Sequence, residues 1–203
     1  MKRGKPRTRQ LRIIGGQWRG RRFTFPELPG LRPTPDRVRE TLFNWLTPVL
    51  CGARCLDLFC GSGALGIEAL SRGAAEVVFI DRHPLAIHTL HENLKRFNAQ
   101  GAQLERHESL RWLEQPATAF DIVLLDPPFN KNLLGPACQQ LEQGGWLTAT
   151  AWIYLEAETA WSTAALPKHW EPHREKIAGA VAYRLFHRKS LDLLDDGDSG
   201  LLF

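Results

Sequence analysis

The run RCLDLFCGSGALGIEAL, residues 54–70, sets Gly61-x-Gly63-x-x-Gly66 between a short apolar strand and an apolar helix. Glycines at that spacing permit a tight strand-to-helix turn and let a ligand approach the backbone, so the run reads as the start of a βαβ unit. The same rhythm continues downstream. EVVFID (76–81) is a second strand, and PLAIHTLHENLKRFN (84–98) is an amphipathic helix with Ile87, Leu90, Leu94 and Phe97 on one face. A weak strand near AQLERH (102–107), a short helix around LRWLEQ (110–115) and the strong strand FDIVLLD (120–126) follow. A helix from about Leu133 to Leu141 and the strand AWIYLEA (151–157) complete an α/β pattern, which predicts a parallel sheet with helices on both faces. HREKIAG (173–179) and VAYRLFHRK (181–189) break the alternation and predict an antiparallel strand pair at one edge.

At 203 residues, with 43% hydrophobic and 24% charged residues, the chain suits one well-filled domain. No apolar run approaches the roughly 18 residues of a membrane helix, and no secretory signal opens the chain, so a cytoplasmic protein is expected. The spacings of Cys51, Cys55, Cys60 and Cys138 match neither a disulfide framework nor a common zinc pattern; reduced thiols and no metal are expected. The last 13 residues, LDLLDDGDSGLLF, carry four aspartates and predict a disordered acidic tail.

Charge is distributed unevenly. Residues 1–25 hold nine Lys or Arg and no acid, although the whole chain is only +4. These cations interleave with Ile13, Ile14, Trp18, Phe23 and Phe25 around Gly15-Gly16 and Gly20, which predicts a folded basic β-hairpin within an extension spanning residues 1–30. The organisation expected is therefore this extension, a main domain over 31–190 and the tail over 191–203. A polyanion is the expected partner, and nucleic-acid phosphates fit best: Trp18, Arg19, Arg21 and Arg22 would hold them, with Arg32, Arg37 and Arg39 continuing the track. In RPTPDRVRETLFNWL (32–46), Thr34 is expected to cap a helix that Pro35 begins and Asp36 complements.

Two acids narrow the ligand of the glycine turn. Asp57 stands four residues before Gly61, at the strand end facing the ligand crevice, where a dinucleotide pyrophosphate would be repelled. S-adenosylmethionine carries no phosphate and has cationic sulfonium and ammonium groups, so an acid there is favourable. Asp81 ends the next strand twenty residues after Gly61, where a carboxylate accepts from ribose hydroxyls of either cofactor. Glu108 or Ser109, after the third strand, would meet the adenine edge, and Phe59 and Arg82 lie in the same strand-end loops.

The strand FDIVLLD ends in Asp126-Pro127-Pro128-Phe129. Neither proline has an amide hydrogen and each fixes its own φ, so a carboxylate, an unpaired carbonyl and an aromatic face are presented together. That cluster suits a flat ligand donating from an amino group.

The two acidic strand ends and Asp-Pro-Pro-Phe together resemble class I S-adenosylmethionine-dependent methyltransferases that act on exocyclic amino groups. The fuller run of IIGGQWRGRRF, PGLRPTPDRVRETLFNWL, DLFCGSGALGIEALSRGA, VLLDPPF and HREKIAGAVAYRLF resembles the bacterial 16S rRNA guanine-N(2) methyltransferases of the RsmD type over about residues 11–188. The resemblance implies a seven-stranded Rossmann-like sheet, S-adenosylmethionine as cofactor, and one guanine of 16S rRNA, within the assembling or assembled small ribosomal subunit, as substrate. It also implies that Asp57, Gly61, Gly63, Asp81 and Glu108 hold cofactor, and that Asp126, Pro127 and Phe129 hold the base. A monomer is expected. The rivals are a DNA or RNA adenine or cytosine amino methyltransferase, a nicotinamide oxidoreductase and a catalytically silent RNA-binding assembly factor.

Overall fold

The computed structural model describes residues 7–129 and 131–189. The predicted acidic tail lies outside them. Two antiparallel strands, β1 (Thr8–Arg12) and β2 (Arg22–Pro26), form the N-terminal hairpin, and α1 (Asp36–Leu50) follows it. The main sheet contains β3 (Arg54–Asp57), β4 (Glu76–Ile80), β5 (Ala102–Glu105), β6 (Phe120–Leu125), β7 (Leu147–Glu158), β8 (Trp170–Ala178) and β9 (Val181–Arg188). Its helices are α2 (Ala64–Ser71), α3 (Pro84–Phe97), the single turn α4 (Ser109–Trp112) and α5 (Leu134–Gln143).

The seven strands lie in the order β5-β4-β3-β6-β7-β9-β8, parallel through β7, with β9 antiparallel to both of its neighbours. The expected parallel sheet with an antiparallel C-terminal pair is present. Chain order reverses between β3 and β6, so the helices fall on opposite faces: α1, α2, α3 and the hairpin bury one apolar layer, and α4 and α5 bury the other. Two strands begin earlier than their sequence pattern. β7 starts at Leu147 and shifts register opposite β6, while β8 starts at Trp170 and takes in Pro172. Pro172 is tolerated because β8 is the outermost strand, and the register shifts between Pro172 and Arg174.

Two glycine positions are dictated by close approach. A Cβ on Gly66 would lie 2.1 Å from the Phe79 ring, so only glycine lets α2 settle onto β4. Gly16 has φ +75° and a Cβ there would fall 1.8 Å from the Ser71 carbonyl oxygen. The segment linking β1 to β2 is thus pressed onto the C-terminal end of α2. Glu68, wholly buried, accepts from the Ile14 and Gly15 amides at 2.9 and 2.7 Å, and Ser71 Oγ donates to the Gly15 carbonyl at 2.6 Å. The Asn93 side chain pairs with both backbone groups of Thr24.

This docking corrects two sequence expectations. Trp18 is no RNA contact: its ring is buried and stacks on Phe97 with centroids 5.2 Å apart. Arg39 is no phosphate contact either. It is 0% exposed, and its guanidinium binds Asp36 at 2.6 Å, the Arg12 carbonyl at 2.9 Å and Glu68 at 3.5 Å. The expected threonine cap is also absent, since α1 begins after Pro35 with no side-chain cap and the Thr34 hydroxyl is engaged elsewhere.

Candidate active site

The point where strand order reverses in an open α/β sheet leaves a crevice beyond the carboxyl ends of the strands. Here that crevice is a cavity of about 740 Å³. It is walled by the loops after β3, β4, β5 and β6, and by residues 28–35 between the hairpin and α1. Asp57, Phe59, Gly61, Asp81, Arg82, Glu108, Ser109, Asp126, Pro127 and Phe129 all line it. Gly63 lies just behind, at φ +76°, where a Cβ would fall 2.5 Å from Leu90.

Asp57 ends β3 at the cavity floor. One carboxyl oxygen accepts from the Gly66 amide at 3.0 Å, and the group is otherwise enclosed. Burial, with a smaller contribution from Asp81, pushes its pKa from 3.8 to about 7. A cation arriving beside Asp57 would relieve this penalty, and an anion would add to it. Asp81 accepts from the Gly61 amide at 3.0 Å and the His83 amide at 2.7 Å, which fixes the carboxylate plane at the cavity wall. Glu108 caps α4 by accepting from the Arg111 amide at 3.1 Å, while buried Ser109 donates to the Leu58 carbonyl at 2.7 Å.

Across the strand reversal, Asp126 leaves β6 with part of its surface open to the cavity. Pro127 is buried, and Phe129 keeps 40% of its surface exposed, unusual for so large an apolar side chain. Among the described residues, no donor reaches the Pro127 carbonyl. Three further residues crowd Asp126, none of them visible as site residues in the sequence. The Thr34 hydroxyl lies 3.2 Å from Asp126 Oδ2 and 3.0 Å from Glu156 Oε1, and the Tyr154 hydroxyl donates to that same Glu156 oxygen at 2.8 Å. Burial and then the neighbouring Glu156 charge hold the Asp126 pKa well above the usual carboxylate range; burial raises Glu156 too, against the donation from Tyr154 and Thr34. The available signal for Glu156 was an acid in phase with Trp152 and Tyr154 on an inner strand.

Of the arginines expected to bind phosphate, Arg19, Arg21, Arg22, Arg32 and Arg37 are exposed. Arg21 lies over the Phe97 ring at 4.5 Å, and Arg32 stands in the cavity wall.

The family model described as "Conserved hypothetical protein 95" matches residues 11–187. The chain is 50% identical over 181 residues to ribosomal RNA small subunit methyltransferase D of Escherichia coli, covering 89% of this chain and 91% of that one. It is 44% identical to the Haemophilus influenzae protein of the same name, covering 87% and 93%. The solved structure of yhhF from Escherichia coli superposes with a TM-score of 0.82 at 49% identity, covering 89% of this chain and 99% of that chain. With likeness in sequence and in fold running through both the glycine turn and the Asp-Pro-Pro-Phe loop, the chain belongs to the ribosomal RNA small subunit methyltransferase D family.

Proposed function

We propose that the protein transfers a methyl group from S-adenosylmethionine to the exocyclic 2-amino group of a guanine in 16S rRNA, acting in the cytoplasm on the small ribosomal subunit. One observation carries the reading: a cavity lined by a buried acid, held by the Gly66 amide and raised in pKa by burial, also holds a rigid acceptor pair with an exposed aromatic ring. The names of the relatives supply the rRNA.

The donor set fits this cofactor. S-adenosylmethionine, when bound, supplies an electrophilic methyl on a sulfonium centre. Asp57 offsets positive charge, Asp81 offers its remaining lone pairs to ribose hydroxyls, and the backbone at Gly61 and Gly63 admits the ligand closely. Phe59, Arg82, Glu108 and Ser109 line the rest of the adenosine side. Because Asp57 must lose its proton to pair with a cation, cofactor affinity should be full above about pH 7 and fall below it, by up to about tenfold per pH unit. Calorimetric titration at several pH values checks this; affinity unchanged down to about pH 5 would contradict it.

A guanine amino nitrogen is a poor nucleophile because its lone pair is delocalised into the ring. Asp126 accepts one amino hydrogen and the Pro127 carbonyl the other, which favours pyramidal nitrogen with the lone pair directed at the methyl. Holding donor and acceptor in place is worth up to roughly 7–11 kcal/mol. Phe129 stacks on the extruded base for about 1–3 kcal/mol without selecting its identity. Exposed Arg19, Arg21, Arg22, Arg32 and Arg37 position the RNA through phosphates.

The assay that tests the reading offers labelled methyl donor with small subunits, naked rRNA and duplex DNA, and maps the product by mass spectrometry; methylated adenine or cytosine would overturn it. For the arginines, truncation is a poor test because Ile13, Phe23 and Phe25 belong to the core. Replacing Arg19 and Arg22 by alanine should instead reduce the slope of log affinity against log salt by about 0.7 for each single-strand phosphate that is no longer neutralised, at constant cofactor affinity. An unchanged slope would remove these residues from the interface.

A further inference from the structure

A threonine hydroxyl has one proton, yet Thr34 Oγ1 stands at hydrogen-bond distance from two carboxyl groups, Asp126 at 3.2 Å and Glu156 at 3.0 Å. It can donate to only one of them. The second contact is a hydrogen bond only if that carboxyl bears a proton and donates to Thr34. Glu156 Oε1 already accepts from Tyr154 at 2.8 Å, and Tyr154 is buried in surroundings that keep its hydroxyl protonated. Glu156 has the Tyr154 donor that Asp126 lacks and stands at the shorter distance from Thr34, which marks Glu156 as the ionised partner and Asp126 as the protonated one. The chain of hydrogen bonds then has one direction, from the cavity to the interior: Asp126 Oδ2–H to Thr34, and Thr34 to Glu156. Asp126 Oδ1 is left as the acceptor.

We infer that Glu156 is the final acceptor of the proton released in methyl transfer, reached from Asp126 through the Thr34 hydroxyl. This rests on the amino-methyltransferase reading above. As the N–C bond forms, the S–C bond breaks and sulfur keeps its electron pair; the amino nitrogen, now cationic, gives a proton to Asp126 Oδ1. Asp126 Oδ2 passes its own proton to Thr34 Oγ1, and the Thr34 proton moves to Glu156. Charge and atoms balance, with Glu156 neutral at the end, and its proton returns to water once product leaves.

The working state holds one proton on the Asp126–Glu156 pair, so with cofactor kept saturating at every pH the rate should be bell-shaped, with both limbs belonging to the pair. The charged and titratable groups around it are Asp57 on β3, Tyr154 on β7 with Tyr183 beside it on β9, and Arg32 and Lys131 in the cavity wall. None of these is altered in the test.

Single-turnover methylation of small subunits is measured against pH for the unaltered protein and for Glu156→Gln, Thr34→Val and Thr34→Ser, with cofactor affinity recorded to establish that each variant folds. Glu156→Gln should abolish the acid limb, move the alkaline limb to lower pH by removing the charge that holds the proton on Asp126, and slow the optimum on the order of tenfold or more. Thr34→Val should slow transfer comparably at unchanged cofactor affinity, and Thr34→Ser should restore it. Glu156→Gln and Thr34→Val profiles that superimpose on that of the unaltered protein would overturn the inference while leaving the methyltransferase reading intact. Absence of transfer by the unaltered protein at every pH would instead overturn the reading on which it rests.

Discussion

Asp126→Ala should lower methyl transfer to small subunits by on the order of 10²–10³-fold or more while leaving S-adenosylmethionine affinity nearly unchanged. The split follows from geometry. Asp126 stands across the strand reversal from the Asp57 and Asp81 acids proposed to hold cofactor, at the face where an amino group would arrive. Alanine removes the acceptor that would localise the nitrogen lone pair, and nothing on the cofactor side moves. Folding should survive as well. Asp126 is a buried carboxyl whose proton affinity burial and Glu156 raise, so alanine removes a poorly solvated group at the cavity wall and should leave stability nearly unchanged. Rapid-quench assays, cofactor calorimetry and denaturant unfolding together check all three statements. Turnover within about tenfold of the unaltered protein would remove Asp126 from the chemistry.

Glu68→Ala should destabilise the fold by about 3–5 kcal/mol. Glu68 is the hub on which the N-terminal hairpin hangs. Its two oxygens receive the Ile14 and Gly15 amides, Arg72 at 2.8 Å and the wholly buried Arg39 at 3.5 Å. Alanine leaves a buried guanidinium without its buried partner and two backbone donors without acceptors, and breaking a buried pair from one side is the expensive way to break it. Urea unfolding measures the loss, and faster proteolysis within residues 7–22 would locate it in the hairpin. Pairing the change with Arg39→Met should recover part of the loss by removing a buried charge left with only the partly exposed Asp36 as counter-ion. A drop below about 1 kcal/mol would show that the hairpin is held by its apolar contacts alone.

The alternation of strands and helices was readable because periodicity and turn chemistry are local: Gly61, Gly63 and Gly66 announce the tight turn, and Asp126-Pro127-Pro128 announces the end of β6. The cavity-lining acids Asp57 and Asp81 were readable for the same reason, since a strand end before a known turn fixes which side of the sheet its side chain serves. Thr34 shows the limit. A threonine before proline and aspartate has the pattern of a helix cap, and that local preference yielded to two carboxyl groups far away in sequence. Arg39 and Trp18 fail in the same way. In stretches rich in cations and aromatics, composition describes the stretch but does not say which members turn inward.

Local chemistry along the chain was therefore enough to establish an α/β sheet, its glycine turn, its two acidic strand ends and the stiff proline loop, each formed within a few residues. Folding in three dimensions settled which charges are buried and which face solvent, and it brought Thr34 to Asp126 and Glu156 across separations of 92 and 122 residues. Contacts at that range depend on sheet register and helix docking, which no short window of sequence encodes.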